Sequence, residues 1–420
     1  MRILYVVHQF YPESSSGTEQ FLLHLASSMQ RSGHYADIVT YSFSDRSDFH
    51  QSGSLLAKRY QYKGISVIGL RHERIPIDIN TSLENSAVFS LAREVLGNRS
   101  RSYDLVHIAH PMRLTSFATA ASQAAIPYVL TLTDFWMICP KINLYTSFNT
   151  QCGGPEGGKT CIQWCPELQP EFVRSRLKTA REILHGAQAI VVPSRFVAGM
   201  IKKEFPELSA NIIPHGLPAD EFSTNPRTRK EGAKIIFSYC GGLSAHKGVH
   251  VLIAAFRSLE ALNVELRIYG TGSRQEPDYE RTLRNAAGQD DRIRFCGRYQ
   301  EEEVGEVFQA IDALIIPSLS YESYSFALHE ALAAKVPVIA SAVPCLDEKI
   351  KDSAAGLTFR AGDADDLAGK LRLVVSDPRM LDKMKENMSG HGVSRVEEEA
   401  YLYERIYRTA SIKRLDLEAK

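Results

Sequence analysis

Short runs of β-branched and aliphatic residues alternate with amphipathic stretches along most of this chain, and near residue 215 the alternation stops and begins again. Runs at 3–8, 37–41, 65–70, 105–108, 128–132 and 189–192 make one series, and runs at 235–239, 264–269, 293–295, 313–316 and 336–340 make a second. Strands that are apolar throughout are buried on both faces, and strands separated by helix-length segments pair in parallel. The pattern predicts two doubly wound α/β domains, each a mostly parallel sheet between helices. The junction is placed at the Pro- and Gly-containing segment 213–218 and the polar stretch 223–233, giving domains over 1–215 and 216–393. A last helical pattern over 394–412 opens with Ser394 and Glu397 at capping-box spacing and carries Tyr403, Ile406 and Tyr407 on one face.

Composition removes several function classes. The chain of 420 residues is 44% apolar and 23% charged, and no apolar run approaches the roughly 20 residues that span a bilayer. The opening apolar run gives way at once to polar residues, so it is expected to be a buried first strand and not a secretion signal. Lys plus Arg and Asp plus Glu both number 49, which leaves no overall field for nucleic acid, and no nucleic-acid partner is expected. Of seven cysteines, Cys240, Cys296 and Cys345 lie in or beside apolar segments and read as core thiols of a cytoplasmic protein. A nicotinamide-dependent enzyme is disfavoured, because no G-x-G-x-x-G follows a first strand.

Two places in the second series carry chemistry. In Gly241-Gly242-Leu243-Ser244-Ala245-His246-Lys247-Gly248 a lysine sits in a glycine-rich turn between a strand and a helix, where a cation and backbone N–H groups can meet a phosphate. Farther on, Glu322 ends a strand-derived loop and Glu330 lies in the helix begun near Ser325. On one continuous helix two residues eight apart would diverge by about 80°, whereas a loop between them lets both face one ligand. Ser323, Tyr324 and Ser325 stand at the helix N-terminus, a natural seat for phosphate. Gly270, in Tyr269-Gly270-Thr271-Gly272, follows a strand and allows close approach to a ligand. In the first series, the small-residue loop ending in Ser14-Ser15-Ser16-Gly17 feeds a helix, a second anion-binding geometry centred on Gly17.

Cys139, Cys152, Cys161 and Cys165 cluster in a Gly-rich insert over 139–165. A closed structural zinc site, unligated thiols and disulfides are all compatible with the spacing. No catalytic role is assigned to them.

Taken together, these segments resemble the retaining glycosyltransferases of family 4, which have the GT-B fold. The resemblance implies two Rossmann-like domains facing a central cleft, with the 394–420 helix returning to the first domain. It implies a nucleoside diphosphate sugar as donor, a glycan or lipid-linked acceptor, and no cofactor for catalysis. The setting it suggests is cell-surface polysaccharide or glycolipid synthesis in the cytoplasm, at the inner face of the membrane or associated with it peripherally. Within the family's E-x7-E motif, Glu322 would contact the donor sugar and Glu330 the nucleotide ribose, while Lys247 serves the diphosphate and Arg298 frames the base. His110, Thr133 and Asp134 match the segments on the acceptor or sugar side.

Four departures stand out. Gly242 occupies the place of the family's phosphate-binding arginine, which throws the diphosphate charge onto Lys247, with His246 as a helper. Thr133 replaces a histidine, and His110 is a candidate for the vacated space. Ser16 replaces a glycine, and Ser323 and Tyr324 replace a glycine and an aromatic. The same donor cleft would also serve a sugar-nucleotide epimerase or a non-catalytic nucleotide-sugar-binding protein.

Overall fold

The computed structural model describes residues 1–98, 102–218, 222, 232–272, 276–388 and 392–418. Most of the polar stretch 223–233 expected at the domain junction lies outside them. The chain divides into two compact units, one of residues 1–216 with 394–420 and one of residues 217–393.

Unit 1 contains a sheet of nine strands: β1 (Arg2–Val7), β2 (Tyr35–Tyr41), β3 (His50–Ser52), β4 (Leu55–Tyr62), β5 (Ile65–Arg71), β6 (Leu105–Ile108), β7 (Tyr128–Thr131), β8 (Ala189–Val192) and β9 (Asn211–Ile212). Their order is β3-β4-β5-β2-β1-β6-β7-β8-β9. All neighbours are parallel except β3 with β4 and β4 with β5. β1 and β6, with no exposed side chain between them, form the middle of the core. Six of these nine strands correspond to runs read from the sequence. β4 was not, because as an antiparallel strand outside the parallel core it carries Lys58, Arg59 and Gln61 among its apolar residues.

Unit 2 has six strands: β10 (Ile235–Cys240), β11 (Val264–Tyr269), β12 (Ile293–Gly297), β13 (Ala313–Ile316), β14 (Val338–Ser341) and β15 (Gly356–Phe359). They run β12-β11-β10-β13-β14-β15, all parallel. The expectation of a buried Cys296 is wrong. β12 is an edge strand whose side chains alternate, and Cys296 points outward, whereas Cys240 and Cys345 are buried.

In the parallel part of each sheet the strand order reverses at one place, between β1 and β6 and between β10 and β13. Loops leaving the carboxyl ends of strands at such a point diverge and leave room for a ligand. The sheet therefore selects two loop pairs before any side chain is considered.

The last helix, Val396–Glu418, belongs to unit 1, where it packs on β6, β7 and the helix Gly17–Arg31. Its start is one residue later than the sequence reading, since Glu398 accepts the Arg395 N–H at 3.1 Å in place of a Glu397–Ser394 pair. Tyr403 and Tyr407 are fully buried and bring hydroxyls to a polar thread inside the core. His107 Nδ1 meets the Tyr407 hydroxyl at 2.6 Å, His107 Nε2 meets Thr131 Oγ1 at 2.7 Å, and Thr131 Oγ1 meets the Tyr403 hydroxyl at 2.9 Å. Where the chain leaves unit 1, Glu399 accepts from the Gly216 N–H at 2.8 Å and from His215 Nδ1 at 2.9 Å, which ties the helix to the junction. Among the described residues no helix is long and apolar enough to cross a membrane.

Burial lowers the His107 pKa from 6.5 to about 3. The unfolded chain takes up this proton near pH 6.5 and the folded chain only near pH 3, so acid favours unfolding. The contribution of His107 is fully present above pH 6.5 and is lost as pH falls from there toward 3. The melting temperature of the wild type is expected to drop between pH 7.5 and pH 5, and His107→Gln is expected to drop less. Identical slopes for the two proteins would show that the neutral ring does not carry this effect.

Candidate functional site

In unit 2 the loop after β10 and the loop after β13 are stitched together by their backbones. The His246 carbonyl accepts the N–H of Leu319 at 2.8 Å and of Ser320 at 3.4 Å. Between the loops there is no room for a side chain at Gly248. Its φ is +71°, and a Cβ there would lie 2.0 Å from the Pro317 carbonyl oxygen. Gly270 brings in a third loop on the same terms, with φ +143° and a Cβ position 1.9 Å from the Gly241 carbonyl oxygen. The Tyr239 hydroxyl donates to the Gly242 carbonyl at 2.7 Å and steadies the turn from below.

This packing brings Lys247 and Glu322, 75 residues apart in sequence, into an ion pair of 2.7 Å. Ser318 Oγ donates to the same carboxylate oxygen at 2.5 Å. The Lys247 side chain is 32% exposed and that of Glu322 only 9%, so the cation faces solvent and the carboxylate lies behind it. At His246 the charged form is disfavoured. Burial, and then the charge of Lys247, lower its pKa below the ordinary histidine value. Gly242 is exposed, and nothing lies within 4 Å of a Cβ placed there.

Glu330 is buried in the helix Phe326–Ala333, where its charge helps raise the pKa values of Cys240 and Tyr299, after burial as the larger cause. Glu322 acts in the same way on Tyr239. Ser325 caps the helix, its Oγ accepting from the Leu328 N–H at 3.3 Å. Tyr324 stacks on His329 at 4.0 Å between ring centroids, and the Ser323 carbonyl accepts from the Cys345 thiol at 3.6 Å. Arg298 is exposed just beyond edge strand β12, away from the Lys247–Glu322 pair in the strand order. Its neighbour Tyr299 packs edge-on against Tyr269 at 5.8 Å.

Unit 1 has its own cluster at the ends of β1, β6 and β7. Gly17 opens the helix Gly17–Arg31 behind a capping box, in which Glu19 Oε2 accepts from the Ser16 N–H at 2.7 Å, Ser16 Oγ at 2.5 Å and Ser14 Oγ at 3.1 Å. Ser16 therefore gives a cap where the family has a glycine. The other end of this loop is held by Glu13, which accepts from Lys58 Nζ at 2.9 Å, Ser42 Oγ at 2.5 Å and the Phe43 N–H at 3.0 Å. Thr18 Oγ1 donates to Thr133 Oγ1 at 3.1 Å, linking the helix start to the loop after β7.

His110 is 1% exposed, and its Nδ1 accepts the Met112 N–H at 3.2 Å. That bond fixes the tautomer, so Nε2–H donates to Asp134 Oδ2 at 2.8 Å. Asp134 Oδ1 accepts from the Trp136 N–H at 2.8 Å, which leaves a pinned carboxylate with a quarter of its side chain exposed. Two members of this cluster were missed in the sequence. His8 lies against His110 with the rings tilted by 39° and 4.0 Å between centroids, its pKa pushed well down by burial, and Arg113 donates to the His8 carbonyl at 2.9 Å. His8 was read only as the last residue of the first apolar run and Arg113 stands in no motif, so no sequence signal marked either as part of a site.

The four clustered cysteines carry free thiols, with Cys139, Cys161 and Cys165 buried and Cys152 half-buried. Among the described residues no three His, Cys, Asp or Glu side chains are drawn into a metal-ligand set.

The family model described as Glycosyltransferase Family 4 matches residues 15–221, and that described as Glycosyl transferases group 1 matches residues 221–390. A lipopolysaccharide 1,2-N-acetylglucosaminetransferase of Salmonella typhimurium is 24% identical over 210 residues, 44% of this chain and 55% of the relative. The chain thus spans little more than half the length of that curated relative. An uncharacterized glycosyltransferase of Methanocaldococcus jannaschii is 22% identical over 90% of each chain. Among solved structures, Anabaena HepE in complex with UDP and glucose superposes with a TM-score of 0.70 at 18% identity, covering 96% of this chain and 98% of that one. At that identity the likeness establishes the fold, which is GT-B.

Gly248→Ala is expected to destabilise unit 2 by more than about 2 kcal/mol, through both the positive φ and the lost approach of the loops. Chemical denaturation followed by fluorescence measures it. A loss under about 0.5 kcal/mol would mean that the loops separate without cost.

Proposed function

The chain belongs to the family 4, group 1 glycosyltransferases, and from that premise we propose that it transfers a sugar from a nucleoside diphosphate sugar to an acceptor hydroxyl with retention at the anomeric carbon. The observation that carries the reading is the Lys247–Glu322 pair at the point where the sheet order of unit 2 reverses. It places a solvent-facing cation and a shielded carboxylate side by side. A sugar joined to a diphosphate has matching parts: phosphate oxygens that take a cation, and hydroxyls that donate to a carboxylate.

On donor binding Lys247 exchanges Glu322 for the diphosphate, and Glu322, still held by Ser318, accepts from the sugar hydroxyls. Negative charge grows on the leaving phosphate as the anomeric C–O bond breaks, and a preorganised ammonium stabilises that state more than the ground state. The acceptor oxygen forms its bond to the anomeric carbon on the face the phosphate leaves. Its proton passes to a departing phosphate oxygen, so no carboxylate nucleophile and no metal ion is required. Glu330, set toward Cys240 and Tyr299, is assigned to the ribose. In unit 1, the Gly17 loop is assigned to phosphate and the Asp134 carboxylate, held by His110, to a sugar or acceptor hydroxyl.

The UDP bound by the Anabaena protein supports a nucleotide donor, and the name of the Salmonella relative favours a cell-surface glycan acceptor. A thermal-shift and hydrolysis screen of UDP-, GDP- and ADP-sugars tests the donor assignment, since a ligand that binds the native state raises its melting temperature. No shift with any of them would remove the nucleotide-sugar reading. Within the site, Glu322→Gln is expected to lower kcat by roughly 100-fold with little change in nucleoside diphosphate affinity. Glu330→Ala is expected chiefly to weaken that affinity. Equal effects of the two substitutions on affinity would overturn the division of roles.

A further inference from the structure

A carboxylate that no sequence motif marks holds the turn that carries Lys247. The first N–H of that turn, Ala245–Lys247, donates to Glu276 Oε2 at 2.7 Å, 31 residues farther along the chain. A cap side chain serves the second or third N–H of the turn it precedes, so the first must find its partner elsewhere. A carboxylate on a backbone N–H makes a charge-assisted bond, roughly twice as strong as a neutral one. Here it ties the turn to the loop after β11.

Glu276 does not act singly. Its carbonyl accepts the Tyr279 N–H at 3.1 Å and starts the turn into the helix Tyr279–Ala287. The Tyr279 hydroxyl meets His250 Nδ1 at 2.7 Å and accepts the His250 N–H at 3.4 Å. Glu280, itself held by Arg284 Nη2 at 2.8 Å, accepts the Gly272 N–H at 2.9 Å, and Gly272 bridges to Leu243. Side chains 276, 279 and 280 thus grip the turn itself, the helix that follows Lys247 and the loop beside it.

These bonds lie at the surface. Glu276, Tyr279 and Glu280 are half-buried, and Ala245, His250 and Gly272 are exposed. Surface polar contacts of this kind contribute little to the stability of a whole domain, which rests on its apolar core. What they remove is the freedom of one short stretch of backbone. The same stretch is fixed from the loop after β13, through the His246 carbonyl, so the residues before Lys247 are held both by an N–H and by a carbonyl. A cation aimed in advance at a departing phosphate needs no reorganisation as charge develops, and its catalytic value lies there.

We propose that Glu276 is a positioning residue for the sugar transfer: through the Ala245 N–H it fixes the turn that aims Lys247 at the donor diphosphate. The inference rests on the reading of Lys247 as the cation of that diphosphate. Glu276 touches no reacting atom in this role, and its carboxylate is spent on a backbone donor rather than on the substrate. Its charge also reaches His246 and favours protonation there, against the larger effects of burial and of Lys247. The competing role, a contact that only steadies the surface, would make no use of Lys247.

A double-mutant cycle on the full chain tests this, read by calorimetric titration of UDP, or of GDP or ADP where the wild type binds it more tightly. Glu276→Ala is expected to raise Kd about fivefold, the cost of ordering one loop side chain on binding, and to leave the melting temperature within about 2 °C of wild type. In the Lys247→Ala background the same change is expected to move Kd by less than about twofold, because no cation is left to aim. Glu276→Gln, which keeps an acceptor for the Ala245 N–H, is expected to restore most of the affinity. Where Glu276→Ala fails to fold, Glu276→Asp, one methylene shorter, takes its place in the cycle. An unchanged Kd for Glu276→Ala, an equal loss in both backgrounds, or a Glu276→Gln variant as weak as Glu276→Ala would each overturn the proposal. Wild-type affinity in Lys247→Ala would remove the reading of Lys247 itself, which keeps the two failures apart.

Discussion

The His246 carbonyl accepts two N–H groups from the loop after β13, and the site in unit 2 depends on those bonds. They bring the loop after β10 so close to Pro317 that only a residue without a Cβ fits at position 248. The next residue back along the chain, Lys247, is thereby aimed at Glu322. Its side chain carries considerable rotamer entropy, most of which a flexible loop would have to surrender on binding. With the backbone fixed and one ion pair already made, less would be lost in the proposed exchange of the carboxylate for a diphosphate. The exchange is also cheap because a third of the lysine is already in water, where an ion pair is weak.

Unit 1 solves a similar problem by different means. Its loop after β1 is held at both ends by carboxylates, Glu13 and Glu19, that accept from hydroxyl and backbone donors. Glu19 is fully buried, and desolvation raises its pKa in spite of its hydrogen bonds. A buried carboxylate is an expensive anchor, but it leaves the helix start at Gly17 in one place. His110 has the same kind of role for Asp134. Both nitrogens of the ring are engaged, so it orients the carboxylate and keeps no face of its own for a ligand.

Much of this was legible in the sequence because parallel strands buried on both faces announce themselves as unbroken apolar runs. Once β10 and β13 are neighbours, the distance of 75 residues between Lys247 and Glu322 ceases to matter. What remained hidden followed from edges and from isolation. β4 and β15 lie toward sheet edges, and β12 turned Cys296 to solvent where an apolar context suggested burial. Ser318 and Tyr239 hold the site by single hydrogen bonds that no spacing rule reports. His246 stood in the loop as a helper to Lys247, and its burial beside that lysine, which disfavours its charged form, could not be read from the sequence. The bond from His110 to Asp134 follows from the tautomer that the Met112 N–H imposes, which no spacing rule reports.

The central claim is that Lys247 meets the diphosphate directly and that the open position at Gly242 explains why it acts alone. Calorimetric titration of the tightest-binding nucleoside diphosphate into wild type, Lys247→Ala and the Lys247→Ala, Gly242→Arg double variant tests this most directly. The single variant is expected to weaken Kd by about tenfold or more, the cost of one charge-assisted contact. The added arginine, which finds nothing within 4 Å of its Cβ, is expected to recover a large part of that loss. Equal affinity of wild type and Lys247→Ala would place the diphosphate elsewhere and contradict the assignment.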